Sequence, residues 1–154
     1  MTKKIALIFP GQGAQAVGMG KELAAASPAA AEIFRQADEI LGWPLSKICW
    51  EGPEDELTKT SVCQPALYVH GLAALAAVKE KFGDFPVTAA AGLSLGEFTA
   101  HAAAGTFDFA TGLKVVAQRG QFMQEACEAT QGGMAAMIGV DENVVRDLAA
   151  QTDV

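Results

Sequence analysis

The sequence is poor in histidine, in basic residues and in closely spaced cysteines. Its 154 residues hold two histidines, three cysteines and 11 Lys and Arg against 18 Asp and Glu, for a formal charge of -7. An acidic chain without a basic block is a poor candidate for nucleic-acid binding. Cysteines this far apart predict neither a metal site nor a redox pair, and an odd number of scattered thiols favours a reducing cytoplasm.

Long apolar runs are also missing from the sequence. The run at residues 5–9 is too short for a signal peptide, and Pro10 and Gly11 end it. The longer stretch "GLAALAAVKEKFG" is broken by charged residues, so we expect no membrane span. With 51% hydrophobic and 19% charged residues, the chain is expected to build a packed core.

What is present alternates between strand and helix signals. Short apolar runs predict strands at 5–9, 87–91 and 134–138, and the unbroken run at 5–9 is typical of a buried parallel strand. Capping and stop residues predict helices at 28–41, 65–82, 95–103, 109–129 and 142–151. The looser segment 43–60 carries one short acidic helix signal, "PEDEL". This order predicts the α/β class.

The predicted sheet is small for the number of helices. Only two predicted strands precede the break at Gly132-Gly133, and a two-stranded sheet is a weak core for so many helices. The last predicted unit is a strand and a helix with no strand to close it. We therefore expect an incomplete sheet that forms the N-terminal part of a longer protein.

The stretch "AAAGLSLGEF" places Ser94 between Gly92 and Gly96, where a predicted strand turns into a predicted helix. Gly-x-Ser-x-Gly in this context is typical of a nucleophile elbow. The following helix N-terminus stabilises developing negative charge, and the Leu95 N–H can point at an oxyanion. The alternative is a glycine-rich turn whose serine only caps the helix.

Neither histidine is placed to serve as the base for Ser94. His101 follows it by seven residues on the same predicted helix, which puts it about 10 Å along the axis. A general base must lie within about 3 Å of the hydroxyl. His70 lies in an apolar helix and is better explained as a satisfied core histidine, or as one that supports a site residue without contacting the substrate.

Three further polar residues can serve the serine. The loop "FPGQGAQ" lacks dinucleotide-binding spacing, so Gln12 makes either a tight turn or a second oxyanion amide. Arg119 borders an apolar helix face and either extends to solvent or holds a carboxylate through two parallel hydrogen bonds, with Gly120 leaving room for a ligand. Gln64 is either an exposed cap before Pro65 or part of the same pocket.

Four motifs together carry a specific resemblance. "FPGQGAQ", "CQPAL", "GLSLGEFTA" and "QRGQFMQEA" resemble the malonyl-CoA:acyl carrier protein transacylases and the acyltransferase domains of fatty acid and polyketide synthases. The resemblance implies malonyl transfer between coenzyme A and acyl carrier protein through an acyl-serine, with no metal or redox cofactor. By the same resemblance, Ser94 is the nucleophile, and the backbone N–H groups of Gln12 and Leu95 bind the oxyanion. Arg119 would pair with the malonyl carboxylate, and Gln64 and Met123 would line the acyl pocket.

The resemblance also implies a domain division. Residues 1–130 would be part of a hydrolase-like larger subdomain, and 131–154 the first strand and helix of a ferredoxin-like small subdomain. The family's catalytic histidine and its orienting partner would follow later in the chain. Leu93 departs from the family pattern, which usually has histidine before the nucleophile. Because that histidine is not the general base, we expect the chemistry to survive and the packing around the acyl pocket to differ. A motif so close to Met1 favours a free-standing enzyme.

Two other functions remain open from the sequence. A serine esterase or thioesterase would use the same elbow but would not need Arg119. A non-catalytic domain that binds acyl carrier protein or coenzyme A would not need a base.

Overall fold

Two parallel strands lie beside a group of helices. The computed structural model describes residues 4–129 and 137–151. Strand β1 is Ile5–Phe9 and strand β2 is Val87–Gly92, and the two pair in parallel with Phe9 opposite Gly92. The first two predicted strands and the α/β class are therefore confirmed. For the third predicted strand, residues 134–136 lie outside the described residues, and residues 137 and 138 are not in a strand.

The described ranges contain eight helices. They are α1 Lys21–Ala26, α2 Pro28–Leu41, α3 Leu45–Glu51, α4 Glu54–Thr58, α5 Thr60–Phe82, α6 Leu95–Ala103, α7 Phe109–Ala129 and α8 Glu142–Ala149.

Side-chain caps begin the helices that the sequence predicts best. The Ser27 hydroxyl accepts a hydrogen bond from the Ala30 N–H at the start of α2 (3.1 Å), and Asp108 accepts from the Thr111 N–H at the start of α7 (2.7 Å). Asp141 caps α8 in the same way, although this helix ends at residue 149 and not at 151. Such caps satisfy N–H groups that have no partner within the helix.

Three features of the helical layer differ from the predictions. Helices α1 and α3 were not predicted, because both are short and lie next to glycine or proline signals. Helix α5 begins at Thr60 and not at Pro65, which lies inside it. Proline favours the first turn of a helix but does not have to be its first residue, so the helix boundary was placed one turn too late.

Helix α5 is the central element of the core. It packs against α2 and α7, and residues 62–69 are all buried. By length and composition α5 would be able to cross a membrane, but 56% of its apolar window is buried inside the protein. Packing by neighbouring helices therefore accounts for its apolar composition.

Strand β1 is less buried than its apolar sequence predicts. Only Phe9 is buried, whereas Ile8 is 80% exposed. Successive side chains of a strand point to opposite faces of the sheet. Helices α5 and α6 lie against one face, near Phe9 and Gly71, and within the described residues no second layer covers Ile8. The expectation of a buried strand is wrong for this part of the chain.

Candidate active site

Ser94 occupies a strained turn at the start of α6. Its φ of 52° and ψ of -106° make it the one non-glycine residue with a positive φ among the described residues. Such a conformation costs about 1–3 kcal/mol and persists only where the surrounding structure enforces it. Its side chain makes no capping hydrogen bond to α6. The alternative of a serine that only caps the helix is therefore wrong.

The two glycines of the motif allow the backbone to approach closely enough for this turn. A Cβ atom at Gly96 would lie 2.7 Å from the Pro10 carbonyl oxygen, and one at Gly92 would collide with the backbone of Gly96. The Leu93 N–H donates to the Phe9 carbonyl oxygen (3.2 Å), which ties the turn to the end of β1. The elbow is thus held between the first strand and the sixth helix.

Arg119 points into the site and contacts the serine directly. Its Nη2 donates to the Ser94 Oγ at 3.0 Å, and its Nη1 donates to the Gln64 Oε1. The guanidinium carbon lies 5.5 Å from the centre of the Phe98 ring, within the range of a cation–π contact. Of the two placements that the sequence left open, the structure shows the inward one.

Gln64 connects Arg119 to Met123. Its side chain is fully buried, and its Nε2 donates to the Met123 Sδ at 3.1 Å while its Oε1 accepts from Arg119. The alternative of an exposed cap is wrong, because α5 begins four residues before Gln64 and carries it into the core. Four of the predicted site residues therefore form one continuous series of contacts from Ser94 to Met123.

The glycine-rich loop after β1 reaches the elbow from the other side. A Cβ atom at Gly11 would lie 2.6 Å from the Leu93 carbonyl oxygen, so the loop backbone is in direct contact with the turn. Gln12 is exposed, and its Nε2 donates to the Thr60 Oγ1 at 3.2 Å. Across the described ranges, the backbone N–H groups of Gln12 and Leu95 donate to no protein acceptor. Both N–H groups are available to a ligand oxygen.

Leu93 directly precedes the nucleophile in the sequence. Its side chain is 73% exposed although its backbone is held on both sides, by Phe9 and by Gly96. It takes no part in the series of contacts that joins Ser94 to Met123.

The histidines lie elsewhere. His101, near the C-terminal end of α6, is exposed, and its Nδ1 is 3.2 Å from the Thr106 Oγ1. The Nδ1 of His70 is buried beside Gly20 and, among the described residues, has no hydrogen-bond partner. Burial lowers the pKa of His70. His70 as a whole is half-buried, and its Nδ1 lacks the partner that a satisfied core histidine would have among the described residues.

Sequence reasoning missed several polar residues around the loop. Thr60 bridges the Gln12 side chain and the Gln124 Oε1, which accepts from the Thr60 N–H at 3.0 Å. Gln15 accepts from the Gly13 N–H (2.8 Å) and from the Cys63 Sγ (3.0 Å). The available signal was the second glutamine of "FPGQGAQ", but its partner lies 48 residues away in sequence.

Comparison with known proteins identifies relatives over nearly the whole chain. The acyl transferase domain family matches residues 6–154. The malonyl CoA-acyl carrier protein transacylase of Bacillus subtilis is 45% identical over 147 residues, which cover 94% of this chain and 45% of that protein. The chain thus spans less than half the length of the curated relatives it matches.

Two solved structures share the fold. The malonyl CoA-acyl carrier protein transacylase from Coxiella burnetii matches with a TM-score of 0.83 and 35% identity, over 97% of this chain and 47% of that one. A malonyl-transacylase in complex with its type II polyketide synthase acyl-carrier protein matches with a TM-score of 0.75 and 41% identity, over 80% and 40% of the two chains.

Proposed function

The chain belongs to the acyl transferase domain family, and from this premise we propose that the full-length protein transfers malonyl groups from malonyl-CoA to acyl carrier protein. The observation that carries the proposal is the contact of Arg119 with Ser94. It places a fixed positive charge beside a strained serine, where an acyl group with a free carboxylate would lie. The relatives named malonyl CoA-acyl carrier protein transacylase support the same substrate class.

In the first half-reaction, the Ser94 Oγ attacks the thioester carbon of malonyl-CoA. The serine proton passes to a general base, and the carbonyl oxygen becomes an oxyanion. The N–H groups of Gln12 and Leu95, which have no protein acceptor in the described residues, are the proposed donors to that oxyanion. Collapse of the tetrahedral intermediate breaks the carbon–sulfur bond, and coenzyme A leaves as the thiol after taking up a proton.

Arg119 is proposed to select the acyl group. When malonyl is attached to Ser94, its free carboxylate accepts hydrogen bonds from the guanidinium, and Gln64 holds Nη1 in place. An acetyl group offers no carboxylate and would leave the half-buried guanidinium without an anionic partner. Met123 and Gln64, which are hydrogen-bonded to each other, are proposed to line the acyl pocket.

In the second half-reaction, the phosphopantetheine thiol of acyl carrier protein attacks the malonyl-serine ester. The thiol proton goes to the base and then to the Ser94 oxygen, which leaves as the hydroxyl. The solved complex of a related malonyl-transacylase with acyl-carrier protein supports this partner. These steps take the coenzyme A thioester as substrate and require no metal or redox cofactor.

The general base is proposed to come from outside these 154 residues. His101 lies at the far end of α6 from Ser94, and the Nδ1 of His70 is buried beside Gly20. We assign residues 1–130 to a hydrolase-like larger subdomain and 131–154 to the start of a ferredoxin-like small subdomain. The exposed face of β1 at Ile8 supports further structure over this sheet. A cytoplasmic location is proposed on the three free cysteines.

The test is a transfer assay with the full-length protein, malonyl-CoA and acyl carrier protein that bears phosphopantetheine. Mass spectrometry should show malonyl-acyl carrier protein as the product. Ser94→Ala should abolish its formation, whereas Ser61→Ala, a serine on α5 outside the site, should not. Release of free malonate without transfer would identify a thioesterase, and binding without turnover would identify a non-catalytic domain.

A further inference from the structure

We propose that Thr60 is a positioning residue that holds the oxyanion loop, residues 10–15, in its working conformation. This inference rests on the proposed function, because it assigns a role to the loop that carries Gln12. Thr60 does not contact Ser94 in any described hydrogen bond. It acts through the Gln12 side chain.

The backbone N–H and the backbone carbonyl of Thr60 both lie against α7. Its N–H donates to the Gln124 Oε1 at 3.0 Å. Its carbonyl oxygen lies so close to Gly120 that a Cβ atom there would be 2.9 Å from it. The room beside Arg119 that the sequence suggested for a ligand is therefore filled by the backbone of Thr60. With the backbone held in this way, the Thr60 hydroxyl is placed to accept from the Gln12 side chain.

The oxyanion loop depends on such anchors. Gly13 has a φ of 106° with no atom within 4 Å of where its Cβ would lie, so glycine supplies little packing here. The elbow fixes the loop at Gly11 through the close approach to the Leu93 carbonyl. The Gln12 Nε2 to Thr60 Oγ1 hydrogen bond restrains the next residue through its side chain. The proposed oxyanion amide, the Gln12 N–H, lies between these two restraints.

Loss of the Gln12–Thr60 hydrogen bond should lower kcat more than it lowers the free energy of unfolding. Oxyanion donors act only when they lie about 2.7–3.1 Å from the charged oxygen, and loss of one donor costs about 10²–10³ in kcat. A misplacement of about 1 Å can cost a comparable factor. An exposed neutral hydrogen bond, by contrast, makes only a small contribution to folding stability.

The test compares Thr60→Val with Thr58→Val in the full-length protein. Both substitutions remove a threonine hydroxyl, but the Thr58 hydroxyl donates only to the Glu54 carbonyl within α4. Thr60→Val should lower kcat for malonyl transfer about tenfold or more with KM nearly unchanged, and Thr58→Val should leave both constants unchanged. Thr60→Ser keeps the hydroxyl and should restore most of the rate.

Acyl preference separates this role from that of Arg119. Malonyl and acetyl thioesters form the same oxyanion, so Thr60→Val should lower both rates by the same factor and leave their ratio unchanged. Gln12→Ala breaks the same hydrogen bond from the loop side. The double variant should therefore be no slower than the slower single variant, because the two substitutions remove one shared interaction.

Three outcomes would overturn the inference. They are a Thr60→Val rate equal to that of the control, additive effects in the double variant, and a change in the malonyl-to-acetyl ratio. Should Thr60→Val fail to fold, a Gln12→Ala variant with the wild-type rate would overturn it equally. Absence of malonyl transfer by the wild-type protein would instead overturn the proposed function.

Discussion

Replacement of Arg119 by alanine should change which acyl group the protein transfers. The guanidinium offers two N–H groups to the site, Nη1 to Gln64 and Nη2 to Ser94, and the proposed carboxylate would bind to these donors. A hydrogen bond to a charged group contributes about 1.5–3 kcal/mol. Because Arg119 is only half-buried, solvent screening reduces the sum for two bonds to about 2–4 kcal/mol.

That free energy corresponds to a fall of about 30- to 1,000-fold in kcat/KM for malonyl-CoA, at about 1.4 kcal/mol per factor of ten. The rate with acetyl-CoA should stay the same or rise, since the variant leaves no unpaired guanidinium beside the acyl group. Steady-state kinetics of the full-length protein with both thioesters measures the ratio directly. Arg35→Ala is the matched control, because Arg35 pairs with Glu32 and Glu39 on the exposed side of α2. An Arg119→Ala variant that keeps the wild-type malonyl-to-acetyl ratio would refute the carboxylate role.

Three further predictions concern the elbow, the core and the thiols. Gly92→Ala should lower the free energy of unfolding by about 3 kcal/mol, because the new Cβ would collide with backbone atoms of Gly96. Gly42→Ala should lower it by only about 1–2 kcal/mol, because the positive φ of Gly42 is the only unfavourable feature there. Urea unfolding of the two variants measures the difference. Burial lowers the pKa of His70 below its ordinary 6.5, so its contribution to the free energy of unfolding is complete above pH 6.5 and is lost as the pH falls towards the folded pKa. His70→Leu should remove this part of the pH dependence when urea unfolding is measured at pH 7.5 and 5.5. A pH dependence equal to that of the wild type would contradict the prediction. Cys127 is exposed and should react quickly with a thiol reagent in the folded chain. Burial raises the pKa of the Cys49 and Cys63 thiols, so both should react slowly. Equally fast reaction of all three thiols would contradict the packing.

The sequence was most informative where a local rule determines the structure. Ser27 and Asp108 cap helices with their own side chains, so the starts of α2 and α7 were predictable from a few residues. The strained turn at Ser94 was likewise predictable, because Gly92 and Gly96 are small enough for the backbone contacts it requires.

Long-range contacts were beyond prediction from one sequence. The burial of Gln64 depends on α7 lying beside α5, which brings Met123 and Arg119 to it across more than 50 residues. The link from Gln12 to Thr60 spans 48 residues and left no local pattern. The exposure of Ile8 depends on whether another layer covers the sheet, and this cannot be predicted from the composition of β1.

The most direct test of the account is the site of covalent acylation. The full-length protein would be mixed with malonyl-CoA, quenched in acid within milliseconds, digested and analysed by peptide mass spectrometry. The account predicts a malonyl ester on Ser94 that disappears when acyl carrier protein bearing phosphopantetheine is added, with malonyl-acyl carrier protein formed in the same amount. Malonyl found on another residue, or transfer without any acyl-enzyme, would contradict it.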